Sequence, residues 1–336
     1  MLLPEIGAGG QASLASAKVA IIGVGAIGGA SADALARAGI GHLRLIDRDI
    51  VEPTNLQRQC LFTESDADLG VPKAAAAKDR LASINSSIEI RSAIADLTPE
   101  NAASLLDGID ILVDGTDNFE TRYILNDYTI RQRLPLVCGG AIATRGTVMP
   151  ILPGLGPCLR CLFPEMPSVH ETCDTAGVLG PIVQIIGARQ AALTMQILIR
   201  GVASVPARLE EFDAWTGQYR SFEIASAKEP ACPCCAQRLF PFLDGVSGGK
   251  ATRLCGRGAV QVTPAGRGEI NLAALAQSLK PLGEILATDL FVRSRFEVQG
   301  EASPIELTVF ADGRALIKGT EDPARARIIY AKYVGQ

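Results

Sequence analysis

The hexapeptide Gly23-Val24-Gly25-Ala26-Ile27-Gly28 constrains this chain more than any other feature. Before it, Lys18-Val19-Ala20-Ile21-Ile22 reads as a buried parallel strand. After it, residues 27–38 carry a helical pattern that stops at Gly39. A strand, a glycine turn and a helix in that order present backbone N–H groups to a phosphate. The alternation continues with a strand over 42–46 that ends at Asp47, a helix from Pro72 to about Ile84, and a strand over 88–91. A helix over 99–106, a strand over 109–113, a helix over 118–131 and a strand over 135–138 follow. Such alternation predicts an α/β fold with a doubly wound, mostly parallel sheet.

Beyond residue 150 the character changes. Residues 151–177 are rich in Pro, Gly and Cys and read as a long loop, and residues 178–199 as a buried helix. Two short strands are expected within 208–224, and residues 232–242 form a second Cys- and Pro-rich loop. Asp244-Gly245-Val246-Ser247-Gly248-Gly249 reads as a linker. The organisation expected is a nucleotide-binding domain over 1–243 and a small α+β domain over 250–336. The latter is read as a strand over 259–263, a helix over 271–280, strands near 292–298 and 305–318, and a helix over 323–333. A length of 336 residues suits two domains.

The net charge of −4 gives no sign of a nucleic-acid surface. Only two histidines are present, which nearly excludes a site built mainly from imidazole. The N-terminus lacks the pattern of a targeting signal, and the apolar runs are interrupted short of the ~20 residues that span a bilayer. The expectation is a cytoplasmic protein without a membrane partner. Its nine cysteines are then read as metal or reactive sites before disulfides.

Asp47 ends the second strand, where a carboxylate binds ribose hydroxyls. The glycine motif alone does not separate NAD from ATP. The stretch after Asp47 does, because it supplies Asp49, Thr54, Asn55, Arg58 and Gln59, and then Lys73. Cations and amide donors beside the ribose carboxylate suit a triphosphate better than a nicotinamide. Asp117 follows the fourth strand in Gly115-Thr116-Asp117-Asn118, and a carboxylate beside a triphosphate is best read as a Mg2+ ligand. The alternative for Asp114 and Asp117 is a turn or helix cap. The candidate nucleotide site is therefore Gly23, Gly25, Ala26, Gly28, Asp47, Asp49, Thr54, Asn55, Arg58, Gln59, Lys73, Asp117 and Asn118.

Cys158-Leu159-Arg160-Cys161 and Cys232-Pro233-Cys234-Cys235 form two C-x-x-C knuckles. Cys158, Cys161, Cys232 and Cys235 suit a closed, structural zinc site that ties the long loop to the end of the first domain. Cys234 is the alternative ligand within the second knuckle. Cys173, on the irregular loop before the long helix, is a candidate reactive thiol. Cys60 and Cys138 read as small core residues, and Cys255 beside Arg257 as a second candidate thiol.

As an ordered set these segments resemble the E1-like adenylyltransferases of the ThiF/MoeB/HesA family. The matching pieces are Leu3-Pro4-Glu5-Ile6-Gly7, the glycine loop, Asp47-x-Asp49-x-Val51, Thr54-Asn55-Leu56-Gln57-Arg58-Gln59, Pro72-Lys73, Gly115-Thr116-Asp117-Asn118, the two C-x-x-C pairs, and Cys173 before Ala176-Gly177-Val178-Leu179-Gly180-Pro181. They cover about residues 1–240. The resemblance implies a Rossmann-like sheet and ATP-dependent adenylation of a ubiquitin-like sulfur carrier ending in Gly-Gly, of the MoaD or ThiS kind, for molybdopterin or thiamine-thiazole sulfur transfer. It implies that Asp47 binds ribose, that Asn55, Arg58 and Lys73 bind the phosphates, and that Asp117 is the essential acid at the magnesium site. It implies a homodimer, and that Cys173 stands where some relatives bond covalently to the carrier. Ala26 replaces a further glycine usual in the family. An arginine usual just upstream of Leu3 is not in the sequence. Two other readings stand beside this one: an NAD(P)-dependent dehydrogenase, which Arg58, Lys73 and Asp117 oppose, and a carrier-binding module without activity, which only the missing upstream arginine favours.

Overall fold

The computed structural model describes residues 3–165, 177–245, 251–254, 259–264, 270–298 and 303–334. It divides into two compact units, Met1–Gly245 and Val246–Gln336.

The first unit is built on one eight-stranded sheet. Its strands are β1 (Lys18–Ile22), β2 (His42–Ile46), β3 (Glu89–Ala93), β4 (Ile111–Asp114), β5 (Leu136–Ile142), β6 (Arg145–Ile151), β7 (Arg208–Asp213) and β8 (Gln218–Glu223). Their order across the sheet is β3-β2-β1-β4-β5-β6-β7-β8. The pairs from β3 to β5 are parallel, and β6, β7 and β8 add antiparallel pairs. The helices are α1 (Gly7–Ser16), α2 (Ala26–Ala38), α3 (Glu64–Leu69), α4 (Lys73–Ile84), α5 (Pro99–Leu105), α6 (Phe119–Gln132), the single turn α7 (Leu159–Leu162), and α8 (Gly180–Arg200).

The central strands are apolar throughout because both faces of the sheet are covered. Val19 and Ile21 of β1 join a core with Leu14, Leu35, Leu81 and Ile186, contributed by α1, α2, α4 and α8. Ala20 and Ile22 point the other way, into a core with Tyr123, Ile124 and Leu125 of α6. This is the doubly wound, Rossmann-like layering read from the alternation. Ile22 pairs with Ile46 on one side and with Asp114 on the other. The carboxyl ends of β1, β2 and β4 therefore lie level, and the loops after them meet at one edge of the sheet.

Four elements of the first unit were not visible in the sequence pattern: α7, a single turn within the segment read as a loop, and α1, α3 and β6. α1 has no capping side chain and buries only Gly10 and Leu14. It packs against α8, where Ile199 closes on Gly10. α3 is a single short helix closed by a capping box between Thr63 and Asp66. β6 pairs with β5 along its length and turns the sheet antiparallel. α8 is 21 residues long and apolar enough, by length and composition, to cross a bilayer. Its apolar residues have a closer partner: Ile182, Val183, Ile186 and Leu193 lie in the core, against α2 and the sheet.

The second unit is a six-stranded antiparallel sheet in the order β11-β12-β13-β14-β10-β9. Its strands are β9 (Ala251–Leu254), β10 (Ala259–Val262), β11 (Glu284–Ala287), β12 (Phe291–Phe296), β13 (Ile305–Phe310) and β14 (Ala315–Lys318). The stretch over 305–318 is thus a hairpin and not one strand. α9 (Leu272–Leu279) and α10 (Pro323–Tyr333) are capped by Asn271 and Asp322. Leu275, Leu279 and Ile329 from these helices pack on Val260, Val292, Leu307, Val309 and Ile317.

Candidate functional site

The glycine loop joins β1 to α2 at the sheet's carboxyl edge. Gly23 holds φ at +78°, and its N–H donates to the Ile46 carbonyl at 2.8 Å. A Cβ at Gly23 would lie 2.8 Å from the Gly115 carbonyl oxygen, and one at Gly28 or Gly115 would collide with the Gly23 carbonyl. These three glycines are required by packing between the loop after β1 and the loop after β4. Gly25 is different: a Cβ there would meet only the Gln59 carboxamide, at 3.6 Å. The space beside Gly25 is what a phosphate needs for close backbone approach. α2 begins at Ala26 without a side-chain cap and without an acidic residue in its first turn. Its first N–H groups and helix dipole therefore suit an anion. Gln59 is buried with its amide Nε2, a hydrogen-bond donor, turned toward Gly25, and a donor there suits an anion.

Asp47 follows β2 and is buried. Its Oδ2 accepts from Val24 N–H at 2.8 Å and its Oδ1 from Asp49 N–H at 2.7 Å. One carboxylate thus fixes the glycine loop and the turn after β2 together. Burial pushes this carboxyl up, while Lys73 draws it down. The Lys73 side chain, only 3% exposed at the start of α4, lies 3.3 Å from Asp49 Oδ2. Asn55 closes a 3-10 turn over Pro53–Asn55, and its Oδ1 accepts from Glu52 N–H at 3.1 Å. Thr54 is exposed, and its carbonyl accepts from the Arg58 guanidinium at 2.9 Å.

Asp114, at the end of β4, is completely buried. Its Oδ1 accepts from Thr116 N–H and Oγ1, and its Oδ2 lies 3.1 Å from Arg122 Nε. Burial pushes the Asp114 carboxyl up, against the opposing pull of Arg122. Arg122 also donates to the carbonyls of Thr116, at 2.7 Å, and Gly139, at 2.8 Å. Asn118 caps α6, its Oδ1 accepting from Thr121 N–H at 2.8 Å. With Asp114 tied into the turn and Asn118 serving as the cap, Asp117 has neither duty. It is exposed and accepts no hydrogen bond among the described residues. Its charge is felt by Arg48, which lies 3.0 Å from Asp96. Burial pulls the Arg48 guanidinium down, but Asp96, Asp49 and Asp117 outweigh it and hold it above its ordinary value.

Two contributors were not singled out from the sequence. Arg122 stands one helical turn past Asn118, a spacing that could have marked it as braced against the loop. Gln190 of α8 offered no such signal. It is buried, receives Ser31 Oγ at 2.7 Å, and donates to the carbonyls of Asp114, at 2.7 Å, and Val137, at 3.0 Å.

The four knuckle cysteines come together. Cys158 and Cys232 sulfurs are 3.6 Å apart, Cys161 and Cys235 3.5 Å, and Cys158 and Cys161 3.9 Å. All four sulfurs lie within 4.8 Å of one another. A tetrahedron of ligands about 2.3 Å from a zinc ion has sulfurs about 3.8 Å apart. A disulfide would need about 2.05 Å, and all four cysteines are free. The donor set therefore fits zinc. Cys234 is outside the quartet: its Sγ donates to Asp127 Oδ1 at 3.3 Å and accepts from Asn126 Nδ2 at 3.2 Å. Cys138 is buried as expected, but Cys60 is exposed, a correction to its reading as core. Its neighbours Gln59 and Leu61 both turn inward, which leaves the Cys60 side chain on the outer side of this turn. Cys173 and Cys255 lie outside the described residues.

The model of the ThiF family matches residues 1–234. The chain is 41% identical over 335 residues to the sulfur carrier protein ThiS adenylyltransferase of Bacillus subtilis, covering 99% of this chain and 97% of that one. It is 36% identical over 242 residues to the sulfur carrier protein adenylyltransferase of Thermus thermophilus, covering 70% and 88%. It is 41% identical over 239 residues to the adenylyltransferase and sulfurtransferase MOCS3 of Anopheles gambiae, covering 70% of this chain and spanning 54% of that one. Among solved structures, that of E. coli MccB superposes with a TM-score of 0.59 at 25% identity, covering 69% of this chain and 68% of that one.

Proposed function

The chain belongs to the ThiF family of E1-like adenylyltransferases, and on that premise we propose that it uses magnesium-ATP to adenylate the C-terminal carboxylate of a ThiS-like carrier ending in Gly-Gly. One observation carries the reading. The loops after β1, β2 and β4 meet at one sheet edge and leave Asp117, alone among the acids of those loops, without a structural bond among the described residues. The choice of a ThiS-like carrier is supported by the Bacillus relative, whose similarity runs on through the second unit.

In this reading the backbone from Gly25 to Gly28 receives the phosphates, and Asp47 the ribose. Arg58 and Lys73 neutralise phosphate charge, with Asn55, Gln59, Thr54 and Asn118 lining the same edge. Magnesium held at Asp117 would supply further charge neutralisation on the phosphate oxygens. A carrier carboxylate oxygen attacks the α-phosphorus. The bond from that phosphorus to the bridging oxygen breaks, and pyrophosphate leaves with the electron pair. The products are the carrier acyl-adenylate and pyrophosphate. No protein nucleophile takes part, so the residues act by positioning and electrostatics. The cysteine quartet would hold zinc as a structural ion. The proposal includes a homodimer, as the resemblance implies, working in the cytoplasm. Pyrophosphate–ATP exchange that depends on an added ThiS carrier tests the reading, and exchange indifferent to the carrier contradicts it.

Arg58→Ala is expected to raise the KM for ATP by at least about tenfold, the loss of one charged phosphate contact. Because Arg58 is only partly buried, its thermal midpoint should stay close to that of the wild type; steady-state kinetics and a melting curve check both halves. Cys173→Ser is expected to retain full pyrophosphate exchange, since neither the bond formed nor the bond broken involves a thiol. Loss of exchange in that variant would place the thiol in the adenylation step.

A further inference from the structure

α6 touches three regions that are far apart in sequence. Its N-terminus follows directly on Asp117 and is capped by Asn118. One turn on, the Tyr123 hydroxyl donates to the carbonyls of Phe163, at 2.7 Å, and Glu165, at 3.0 Å, in the segment that leaves the first knuckle. A further turn on, Asn126 is wholly buried and bridges the two cysteine loops. Its Oδ1 accepts from Leu159 N–H at 2.8 Å, beside Cys158, and its Nδ2 donates to Cys234 Sγ at 3.2 Å, between Cys232 and Cys235. The amide orientation is fixed by chemistry, because Leu159 offers an N–H and only the oxygen can accept it. The neighbouring Asp127, also without exposure, accepts from Cys234 Sγ at 3.3 Å and from Phe242 N–H at 3.1 Å.

A four-thiolate zinc site needs no such amide, since its coordination is already complete. A buried carboxamide is costly unless both its ends are bonded. Asn126 Nδ2 also reaches Asp127 Oδ1 on its own helix, at a long 3.4 Å. Asn126 keeps both of its loop contacts only while the two loops stand at one fixed separation, and the metal in the quartet is what would set that separation. Asn126 lies eight residues beyond Asn118, about 12 Å along the helix axis. A helix is stiff over that distance, so a shift of the loops moves α6 as a rod and carries its N-terminal end along.

We propose that Asn126 is a positioning residue through which the metal state of the cysteine quartet sets the placement of the Asp117 loop, and hence the affinity for magnesium-ATP. The proposal rests on the nucleotide reading above. Asn126 acts on the metal only through its hydrogen bonds to the loops that carry the cysteines, and loss of such a supporting partner typically changes metal affinity by about 10–100-fold.

The test uses zinc-loaded and zinc-depleted full-length protein, as wild type and as Asn126→Ala. Zinc release to a colorimetric chelator should be at least about tenfold faster in Asn126→Ala. Magnesium-ATP affinity, read by titration calorimetry, should weaken about tenfold when the wild type is depleted, within the usual range of coupling between sites. Zinc-loaded Asn126→Ala should already be weakened to that level, and depletion should change it by less than about twofold. A wild type whose nucleotide affinity ignores zinc overturns the inference, and so does a variant that responds to zinc as the wild type does. If depletion unfolds the protein, zinc-loaded Asn126→Ala and Asn126→Ser decide it, and wild-type nucleotide affinity in both overturns it. Absence of magnesium-ATP binding by the loaded wild type would instead overturn the nucleotide reading, and this inference with it.

Discussion

Asp117→Asn is expected to lower pyrophosphate exchange by at least about 100-fold while leaving the fold intact. The substitution keeps the side-chain volume and removes the charge that would hold magnesium against the phosphates. Removal of one preorganised electrostatic partner from a reacting centre commonly costs 100- to 1,000-fold. The fold should not suffer, because Asp117 is exposed and supports no turn, cap or ion pair among the described residues. The neighbouring Asp114 provides the contrast. It is completely buried and faces Arg122 at 3.1 Å. Asp114→Asn should leave Arg122 without its counter-charge, at a cost of about 3–5 kcal/mol. Melting curves and exchange assays on the pair separate the two acids. A melted Asp117→Asn or an active one would each contradict the assignment.

Cys158→Ser is expected to lose the metal and much of the stability of the first unit. Cys158 is wholly buried among the other three sulfurs, and a hydroxyl in its place is a poor zinc ligand. Structural zinc delivers roughly 10–16 kcal/mol in small domains. If even about 4 kcal/mol of that supports this fold, the thermal midpoint falls by roughly 8–16 °C. Cys234→Ser should keep one zinc per chain, because its sulfur is engaged with Asp127 and Asn126. Elemental analysis of the two variants checks the ligand set. Zinc retained in Cys158→Ser and lost in Cys234→Ser would reverse it.

The features legible in the sequence are those whose chemistry is local. A glycine turn between a strand and a helix declares itself within six residues, and Asp47 and Asp117 stand at strand ends where chain direction already places them. Two C-x-x-C pairs announce a closed thiolate site whatever the fold that joins them. What was hidden depends on distant packing. α1 carries three glycines and no capping side chain, and what holds it is distant packing, with Ile199 of α8 against Gly10. β6 carries a proline, Pro150, and shows itself only by pairing with β5. Gln190 and Asn126 resemble ordinary polar residues on apolar helices, and their importance lies in carbonyls, an amide and a sulfur 33 to 108 residues away in the chain. The hairpin over 305–318 was missed because both its strands are apolar and only four residues separate them.

The most direct measurement of the central claim is mass spectrometry of the ThiS carrier of Bacillus subtilis after incubation with this protein, ATP and magnesium. The account predicts a carrier that has gained one adenylyl group at its C-terminal glycine, with pyrophosphate released in equal amount. No adduct should form when the carrier's final glycine is removed or magnesium is withheld. An unmodified ThiS under the complete conditions, with ATP left intact, would contradict the account.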